Sequence, residues 1–423
     1  VLFRDRVERS VAQYHRNNAR KFAVLYMDVN DFKLINDNYG HGVGDDFLVA
    51  LANRLHGGLR SSDAILARLG GDEFAVLLEN VDSIEHAIAV ATRLAEKMKA
   101  PFPIGEHEFC SGVSIGIAMC SSSNANLDTI ISEADTAMYY CKRQSDMPYS
   151  VFNSQMLTES VERLELSGEL RQAVYRNELV VKFQPIVDLQ SKEIQAFEAL
   201  TRWQHPLHGE ILPERFMPIA ESSGILLELS CWEIETACKN LADWKSTSSL
   251  PVKLNINVGL KLLQIPSYVE SLNNCIQQHD LSADQIKLEL TESQLSQMPA
   301  EAFETLKKLD GLGFEIVLDD FGLGYSSLFQ IHHLRLSMLK IASSIICDLH
   351  SSSEKKAIVK SIQALANSLD IDVVAEGVSN AEQIDLLLDA GCSFGQGSYL
   401  GIPQEAEDLF ASDRELSSRT AVG

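Results

Sequence analysis

After residue 183 the chain settles into a regular alternation. Short apolar runs at 194–200, 252–257, 286–290, 314–318, 338–341 and 373–375 are separated by helix-sized stretches. Repeated βα units of this kind point to a parallel sheet, and about 240 residues is the size of a closed (β/α)8 barrel. A polar residue closes each run: Glu198, Asn257, Glu289, Asp319 with Asp320, Lys340 and Glu376. In a barrel such strand ends converge on one mouth, where the chemistry is kept.

The first 150 residues follow a different regime. Apolar strands at 22–27, 74–78 and 113–118 alternate with helical stretches at 45–57 and 83–100, which predicts a mixed α/β sheet domain. Residues 153–177 carry Met156, Leu157, Val161, Leu164, Leu166, Leu170 and Val174 among charges and no proline, the pattern of an amphipathic connecting helix. The expected organisation is therefore an α/β domain over 1–150, a helical linker over 151–178 leading into a barrel over 165–410, and a loose tail over 411–423.

Composition narrows the function. The 423 residues carry a net charge of −23, which opposes binding to nucleic acid or anionic lipid. The eight cysteines (110, 120, 141, 231, 238, 275, 347, 392) show no Cys-x-x-Cys pair and no Cys/His run at zinc-finger spacing. They read as reduced thiols in a cytoplasmic protein. No apolar run approaches the ~18 to 20 residues of a membrane helix, and the N-terminal residues do not resemble a signal peptide.

At the barrel mouth, adjacent Asp319 and Asp320 repel each other unless a cation neutralises them. With Glu198, Glu289, Glu376 and Asn257 they make an all-oxygen donor set suited to Mg²⁺ or Mn²⁺ rather than zinc. Two such ions ~3.5 to 4 Å apart would bind a phosphodiester and sharpen a water for attack, with Lys340 offsetting transition-state charge. A lone acid after a strand is ordinarily a solvated turn residue or a helix N-cap; six polar residues at successive strand ends are a different matter. His205 and His208, and likewise His332 and His333, read as structural.

In the first domain a strand ends in Asp28, and Gly70-Gly71-Asp72-Glu73 joins two further strands. The glycines permit a tight turn and close approach to phosphates, while Asp72 and Glu73 bring acid oxygens near Asp28. A plain hairpin explains that turn equally well when it stands alone.

Phe183-Gln184-Pro185-Ile186-Val187, Glu198-Ala199-Leu200, Thr201-Arg202-Trp203-Gln204-His205-Pro206, Glu289-Leu290-Thr291-Glu292, Asp319-Asp320-Phe321-Gly322, Leu339-Lys340-Ile341, Ala375-Glu376-Gly377-Val378 and Gln396-Gly397 together resemble the EAL family of cyclic di-GMP phosphodiesterases over roughly residues 165–405. The resemblance implies hydrolysis of cyclic di-GMP to linear pGpG. It implies metal binding by Glu198, Asn257, Glu289, Asp319 and Asp320, with Glu376 supporting metal and water and Lys340 acting at the phosphate. It further implies that Glu292 holds the loop after Asp320 and that Gln184, Arg202 and Gln396 bind the ligand or support the site. Three positions depart from the family pattern: Ala342 replaces an Asp, Ser379 a Glu and Leu323 a Thr. Lost support around a metal typically costs ~10 to 100-fold in metal affinity or activity.

Asp28-Val29-Asn30-Asp31-Phe32-Lys33-Leu34-Ile35-Asn36-Asp37, Tyr39-Gly40-His41, Gly44-Asp45, Gly70-Gly71-Asp72-Glu73-Phe74, Ser114-Ile115-Gly116-Ile117 and Ala134-Asp135-Thr136-Ala137-Met138-Tyr139 resemble the GGDEF diguanylate cyclase family over nearly all of residues 1–150. That resemblance implies one or two Mg²⁺ or Mn²⁺ ions held by Asp28, the Val29 carbonyl, Asp72 and Glu73. Asn36 and Asp45 would read guanine, and Phe32, Lys33 and Lys142 would contact the GTP triphosphate. Synthesis of cyclic di-GMP from two GTP molecules requires two such domains face to face, hence a homodimer. Asp146 stands near a place where the family usually has a base. Arg60 and Asp63 resemble the family's product-inhibition pair at a shifted spacing, and a solvated helix end serves equally. The chain begins just inside the family's usual start, so an upstream sensor or anchor is expected. Two readings stay open: an enzyme of cyclic di-GMP turnover, in which the first domain makes the dinucleotide or binds GTP to regulate the barrel, or a receptor that binds nucleotide and signals to a protein partner.

Overall fold

The computed structural model describes residues 2–16, 21–59, 64–81, 83–120, 126–143, 147–247, 253–323 and 334–409. The chain divides into two compact units, Val1–Glu165 and Leu166–Gly423. Arg60, Asp63, Asp146, His332, His333 and the tail over 411–423 lie outside the described residues.

The first unit contains β1 (Ala23–Val29), β2 (Ala64–Gly70), β3 (Glu73–Leu78), β4 (Phe102–Ile104), β5 (His107–Phe109), β6 (Val113–Met119) and β7 (Tyr149–Val151). Five of these form one sheet in the order β2-β3-β1-β6-β7, while β4 and β5 make a separate hairpin. Pairing is antiparallel except between β6 and β7. The unbroken apolar run of β1 suits a central strand covered on both faces. Its period-two alternation sends Leu25 and Met27 into one apolar cluster, and Val24 and Tyr26 into the other. Gly116 on β6 lets the helix Leu127–Arg143 lie directly on the sheet, since a Cβ there would meet the Ala134 carbonyl oxygen at 2.0 Å.

The second unit contains β8 (Leu179–Asp188), β9 (Ile194–His205), β10 (Gly209–Ile211), β11 (Lys253–Asn257), β12 (Ile286–Thr291), β13 (Glu315–Phe321), β14 (Leu336–Ile341), β15 (Asp372–Ala375), β16 (Phe394–Gly395) and β17 (Gln404–Glu405). Eight strands close a barrel in the order β9-β11-β12-β13-β14-β15-β16-β8, with β8 pairing back to β9. One stave corrects the expectation of a wholly parallel sheet: β8 runs antiparallel to both of its neighbours. Only five residues join β8 to β9, too few for a parallel crossover. That link is a tight turn in which Asp188 accepts from the Gln190 and Ser191 amides at 2.9 and 2.7 Å. A second correction concerns Glu198. It lies inside β9 rather than at its end, because β9 continues to His205 as a hairpin with β10, while its parallel pairing with β11 stops at Ala199.

The connecting helix spans Ser154–Ala173. Its apolar residues divide: Leu166, Leu170 and Ala173 join the barrel core, whereas Leu157, Val161 and Leu164 are exposed. His205 is buried and structural, its Nε2 lying 2.8 Å from Glu169 and its Nδ1 accepting from the Leu207 and His208 amides.

Candidate functional site

The barrel mouth follows from strand periodicity. Ile186, Ala196, Val317, Met338 and Val374, with Phe394 packed against them, form an apolar cluster. Residues two apart on a strand share a face. Two positions further along each strand, counted backwards on antiparallel β8, stand Gln184, Glu198, Asp319, Lys340, Glu376 and Gln396. The polar site is thus the next layer above an apolar one. Asn255 and Asn257 share a face of β11 by the same rule, and Asn257 lies opposite Glu289 in the register.

Lys340 is the hub of this layer. Its fully buried ammonium donates to Glu198 Oε2 at 2.9 Å and Glu289 Oε2 at 3.0 Å, lies 2.7 Å from Glu376 and stands 3.8 Å from Asp319. Glu198 also accepts from Asn257 at 2.8 Å and from Gln396 at 2.7 Å. Gln396 reaches the Gln184 oxygen at 3.2 Å, and Gln184 in turn donates to the Gly401 carbonyl. Asp319 accepts from the Asp320 amide at 2.8 Å, and Asp320 takes a left-handed backbone with φ of 53°. Glu292 accepts from the Gly322 amide at 2.9 Å, which ties the chain just past Asp320 to the helix Glu292–Ser296. Arg202 lies further out on the β9–β10 hairpin, donating to the Thr201 carbonyl and standing 3.9 Å from Glu210.

Electrostatics shows how unequal this balance is. Burial raises the Glu198 pKa, but the Lys340 charge and the hydrogen bonds from Lys340, Gln396 and Asn257 hold it below the usual carboxylate value. Burial and the Glu198 charge push Glu289 well up. Burial raises Asp319 despite Lys340, and it raises Glu376 to about 7 against the same opposing charge. The surrounding carboxylates hold Lys340 protonated against its burial. One ammonium does not balance so many acids, and oxygens of Asp319, Asp320 and Glu376 lie within 4.8 Å of one another. A donor set of carboxylates and one amide, carrying excess negative charge, fits a hard divalent cation.

Asn255 was not singled out in the sequence. It is fully buried and donates to Glu289 Oε1 at 2.6 Å. The Asn-x-Asn spacing on one strand is the signal that finds it. Among the departures, Ala342 is a buried methyl beginning the helix Ser343–Ile346. Ser379 donates from its amide and hydroxyl to Gln383 at 2.7 and 3.1 Å, and Leu323 is exposed.

In the first unit, antiparallel pairing sets Asp28 opposite Glu73. The Lys142 ammonium pairs with Asp28, and the Tyr26 hydroxyl donates to Glu73 at 3.0 Å. Asp72 occupies the turn after Gly71, whose φ is 50°. Asp135 adds an acid not assigned a role from sequence; its carboxyl is pushed up by burial and by the charges of Glu73 and Asp28. Val29 ends β1. Phe32 opens the helix Phe32–Tyr39 with its ring buried against Phe47, leaving its backbone amide as the group suited to an anion. Lys33 and Asp45 are exposed, and Asn36 lies against Gly44, where a Cβ would meet its Oδ1 at 2.0 Å.

Fold and site define a two-domain protein: a mixed α/β domain with an acid-bearing hairpin, followed by a closed barrel with an oxygen-donor mouth. The chain belongs to the EAL domain family, which matches residues 167–403, and its residues 1–148 match the diguanylate cyclase GGDEF domain. It is 37% identical over 412 residues to the bifunctional diguanylate cyclase/cyclic di-GMP phosphodiesterase MucR of Pseudomonas aeruginosa, covering 97% of this chain and 60% of that protein. It is 33% identical over 392 residues to the cyclic di-GMP phosphodiesterase PdeR of Escherichia coli K12, covering 93% of this chain and 58% of that protein. The chain therefore spans somewhat under two thirds of the length of these relatives. A solved structure titled as the PaMucR phosphodiesterase in complex with c-di-GMP matches with a TM-score of 0.56 and 36% identity, covering 58% of this chain and 99% of that one. No helix among the described residues is long and apolar enough to cross a membrane.

Proposed function

We propose that the barrel hydrolyses cyclic di-GMP to linear pGpG with the help of divalent cations, and that the first domain binds GTP and either makes cyclic di-GMP or regulates the barrel. The observation that carries this reading is the convergence of Glu198, Glu289, Asp319 and Glu376 on buried Lys340, with Asn257 bonded to Glu198 and exposed Asp320 beside Asp319 and Glu376. The names of the relatives point to the same substrate.

Glu198, Asn257, Glu289, Asp319, Asp320 and Glu376 would hold Mg²⁺ or Mn²⁺, two ions being the number this many oxygens suit. Bound there, the cations supply an activated water and neutralise phosphodiester charge. The chain's own residues prepare that ground. Lys340 keeps Glu198 ionised and limits repulsion among the acids, so the donors are already oriented. Asn255 and Gln396 fix the carboxylates of Glu289 and Glu198, and Glu292 holds the loop that carries Asp320. Gln184 and Gln396 present amides beside Glu198 for ligand binding, and Arg202 offers a cation further out along the hairpin.

In the first unit, Asp28, Val29, Asp72 and Glu73 would hold the metal of a GTP complex, with Asn36 and Asp45 toward the base and Lys33, Lys142 and the Phe32 amide toward the phosphates. A homodimer would pair two such sites, and an upstream sensor would fit the portion of the relatives that this chain does not cover.

The test is conversion of cyclic di-GMP followed by chromatography. pGpG should appear with Mg²⁺ or Mn²⁺, disappear with a chelator and in Glu198→Ala, and persist in Asp72→Ala. A receptor is the competing reading, favoured by the Ala342 methyl, which places no oxygen beside the acid cluster. Tight binding of cyclic di-GMP without product over hours would establish that reading instead. GTP given to the Glu198→Ala protein separates the two roles of the first domain: cyclic di-GMP accumulates if it is a cyclase, and GTP binds without product if it regulates.

A further inference from the structure

Metal-type donors of a different chemistry meet in the helical layer outside the barrel strands. Glu235 and Cys238 stand three residues apart on the helix Leu226–Thr247; Cys275 and His279 stand four apart at the end of the helix Tyr268–Gln278, which His279 caps. Each spacing brings its pair to one side of its helix. The two helices turn these sides toward each other, for His279 Nε2 lies 2.8 Å from Glu235 Oε1 and the Cys275 thiol donates to Glu235 Oε2 at 3.3 Å. The ligand atoms of Glu235, Cys275 and His279 all lie within 4.8 Å of one another. Cys238, on the same side of its helix as Glu235, is fully buried.

A histidine–carboxylate pair beside buried thiols is an ordinary way to pack two helices, and by itself either half would mean no more. The combination is more specific. Ligand atoms around tetrahedral zinc stand roughly 3.3 to 3.8 Å apart, as bonds of ~2.0 to 2.3 Å require. The two contacts to Glu235 fall close to that range, so modest side-chain rotation closes the set on an ion. The site is also accessible from one side: Cys275 is buried, but the side chains of His279 and Glu235 retain 16% and 46% exposure.

We propose that Glu235, Cys275 and His279 form a zinc-class metal site on the outer helical layer, with a water in the fourth position. Thiolate and imidazole select zinc or cobalt over the magnesium-type cations suited to the all-oxygen mouth. On binding, the Cys275 thiol releases its proton to solvent and the metal–sulfur bond takes its place. The ion clamps two neighbouring helices of the outer layer, so its role is structural and separable from phosphodiester chemistry.

The test uses the full chain, reduced, freed of metal and kept in excess Mg²⁺, titrated with Co²⁺. A thiolate-to-cobalt charge-transfer band in the near ultraviolet should develop with one equivalent and be displaced by Zn²⁺. Sulfur is required for that band, so the oxygen donors of the mouth do not produce it. It should be lost in Cys275→Ser and need at least tenfold more cobalt in His279→Ala and Glu235→Gln, while Cys347→Ser leaves it unchanged. His279→Ala alters a partly exposed side chain and serves should Cys275→Ser fail to fold. Absence of the band in folded, reduced wild-type protein overturns the proposal, as does its persistence in Cys275→Ser or unchanged affinity in His279→Ala.

Discussion

The Lys340 ammonium lies 2.7 Å from the Glu376 carboxylate at a point where the lysine has no exposure at all. Glu198 and Glu289 occupy its other donors, so a single cation restrains three acids, from β9, from β12 and from just past β15. Removing one partner of a buried ion pair typically costs about 3–5 kcal/mol, because the others are left uncompensated. Lys340→Met is therefore expected to lower the unfolding free energy of the metal-free protein, read from its urea midpoint, by an amount in that range and to abolish pGpG formation. An unchanged midpoint would show that the carboxylates had simply taken up protons.

Asn255 holds Glu289 from the side opposite Lys340. In Asn255→Leu the Glu289 oxygen loses a buried donor, a loss of about 1–3 kcal/mol. Support of this kind around a metal also governs affinity, so Mn²⁺ binding measured by calorimetry should weaken ~10 to 100-fold. Equal Mn²⁺ affinity in the variant and the parent would remove Asn255 from the site.

Glu292 acts at a distance from the acids through the Gly322 amide. The hydrogen bond is charge-assisted, worth about 1.5–3 kcal/mol, and it anchors the segment carrying the left-handed Asp320. Glu292→Ala should depress kcat for cyclic di-GMP hydrolysis by more than tenfold while leaving the far-ultraviolet circular dichroism intact. Retention of full kcat would argue against loop support.

Thiol reactivity offers a pH-dependent readout. Burial pushes the Cys392 thiol up to about 12, and burial with the Glu133 charge pushes Cys120 up to about 11. A raised thiol pKa means less thiolate at a given pH, so at pH 8 these buried thiols stay protonated while exposed ones ionise more readily. Iodoacetamide at pH 8 should therefore label exposed Cys110 and Cys347 and spare Cys120 and Cys392, as peptide mass spectrometry would show. Rapid labelling of Cys392 in native protein would contradict its burial.

Gly116 tests the first unit. A methyl there meets backbone atoms, the Ala134 oxygen at 2.0 Å and the Met138 nitrogen at 2.1 Å, which cannot rotate away. Overpacking of this kind usually costs about 1–3 kcal/mol, occasionally more. Gly116→Ala should raise amide hydrogen exchange across the helix Leu127–Arg143 and β6, and unaltered exchange there would refute the close approach.

The alternation of apolar strands and helix-sized stretches made the barrel legible, and strand-end acids made the mouth legible, because period and strand polarity are local properties. The antiparallel β8 was hidden: its residues show the alternation of any half-buried strand, and only the five-residue link to β9 dictates its direction. Glu198 read as the end of its strand because the β9–β10 hairpin beyond it carries polar residues. Asn255 was missed because its partner Glu289 lies on the neighbouring strand; the Asn-x-Asn spacing with Asn257 places it on the site face but does not name that partner.

Sequence alone determined which chemistries the chain carries: oxygen donors at regular intervals, a glycine turn with two acids, thiols scattered without a motif. Tertiary structure decided which of them meet. Barrel closure brings Glu198, Glu289 and Glu376 into hydrogen-bonding distance of Lys340, across up to 142 residues of chain, and helix packing sets Cys275 and His279 against Glu235. The physical reason is that strand periodicity fixes the face a side chain takes, whereas its neighbours across the fold depend on long-range closure that no local pattern encodes.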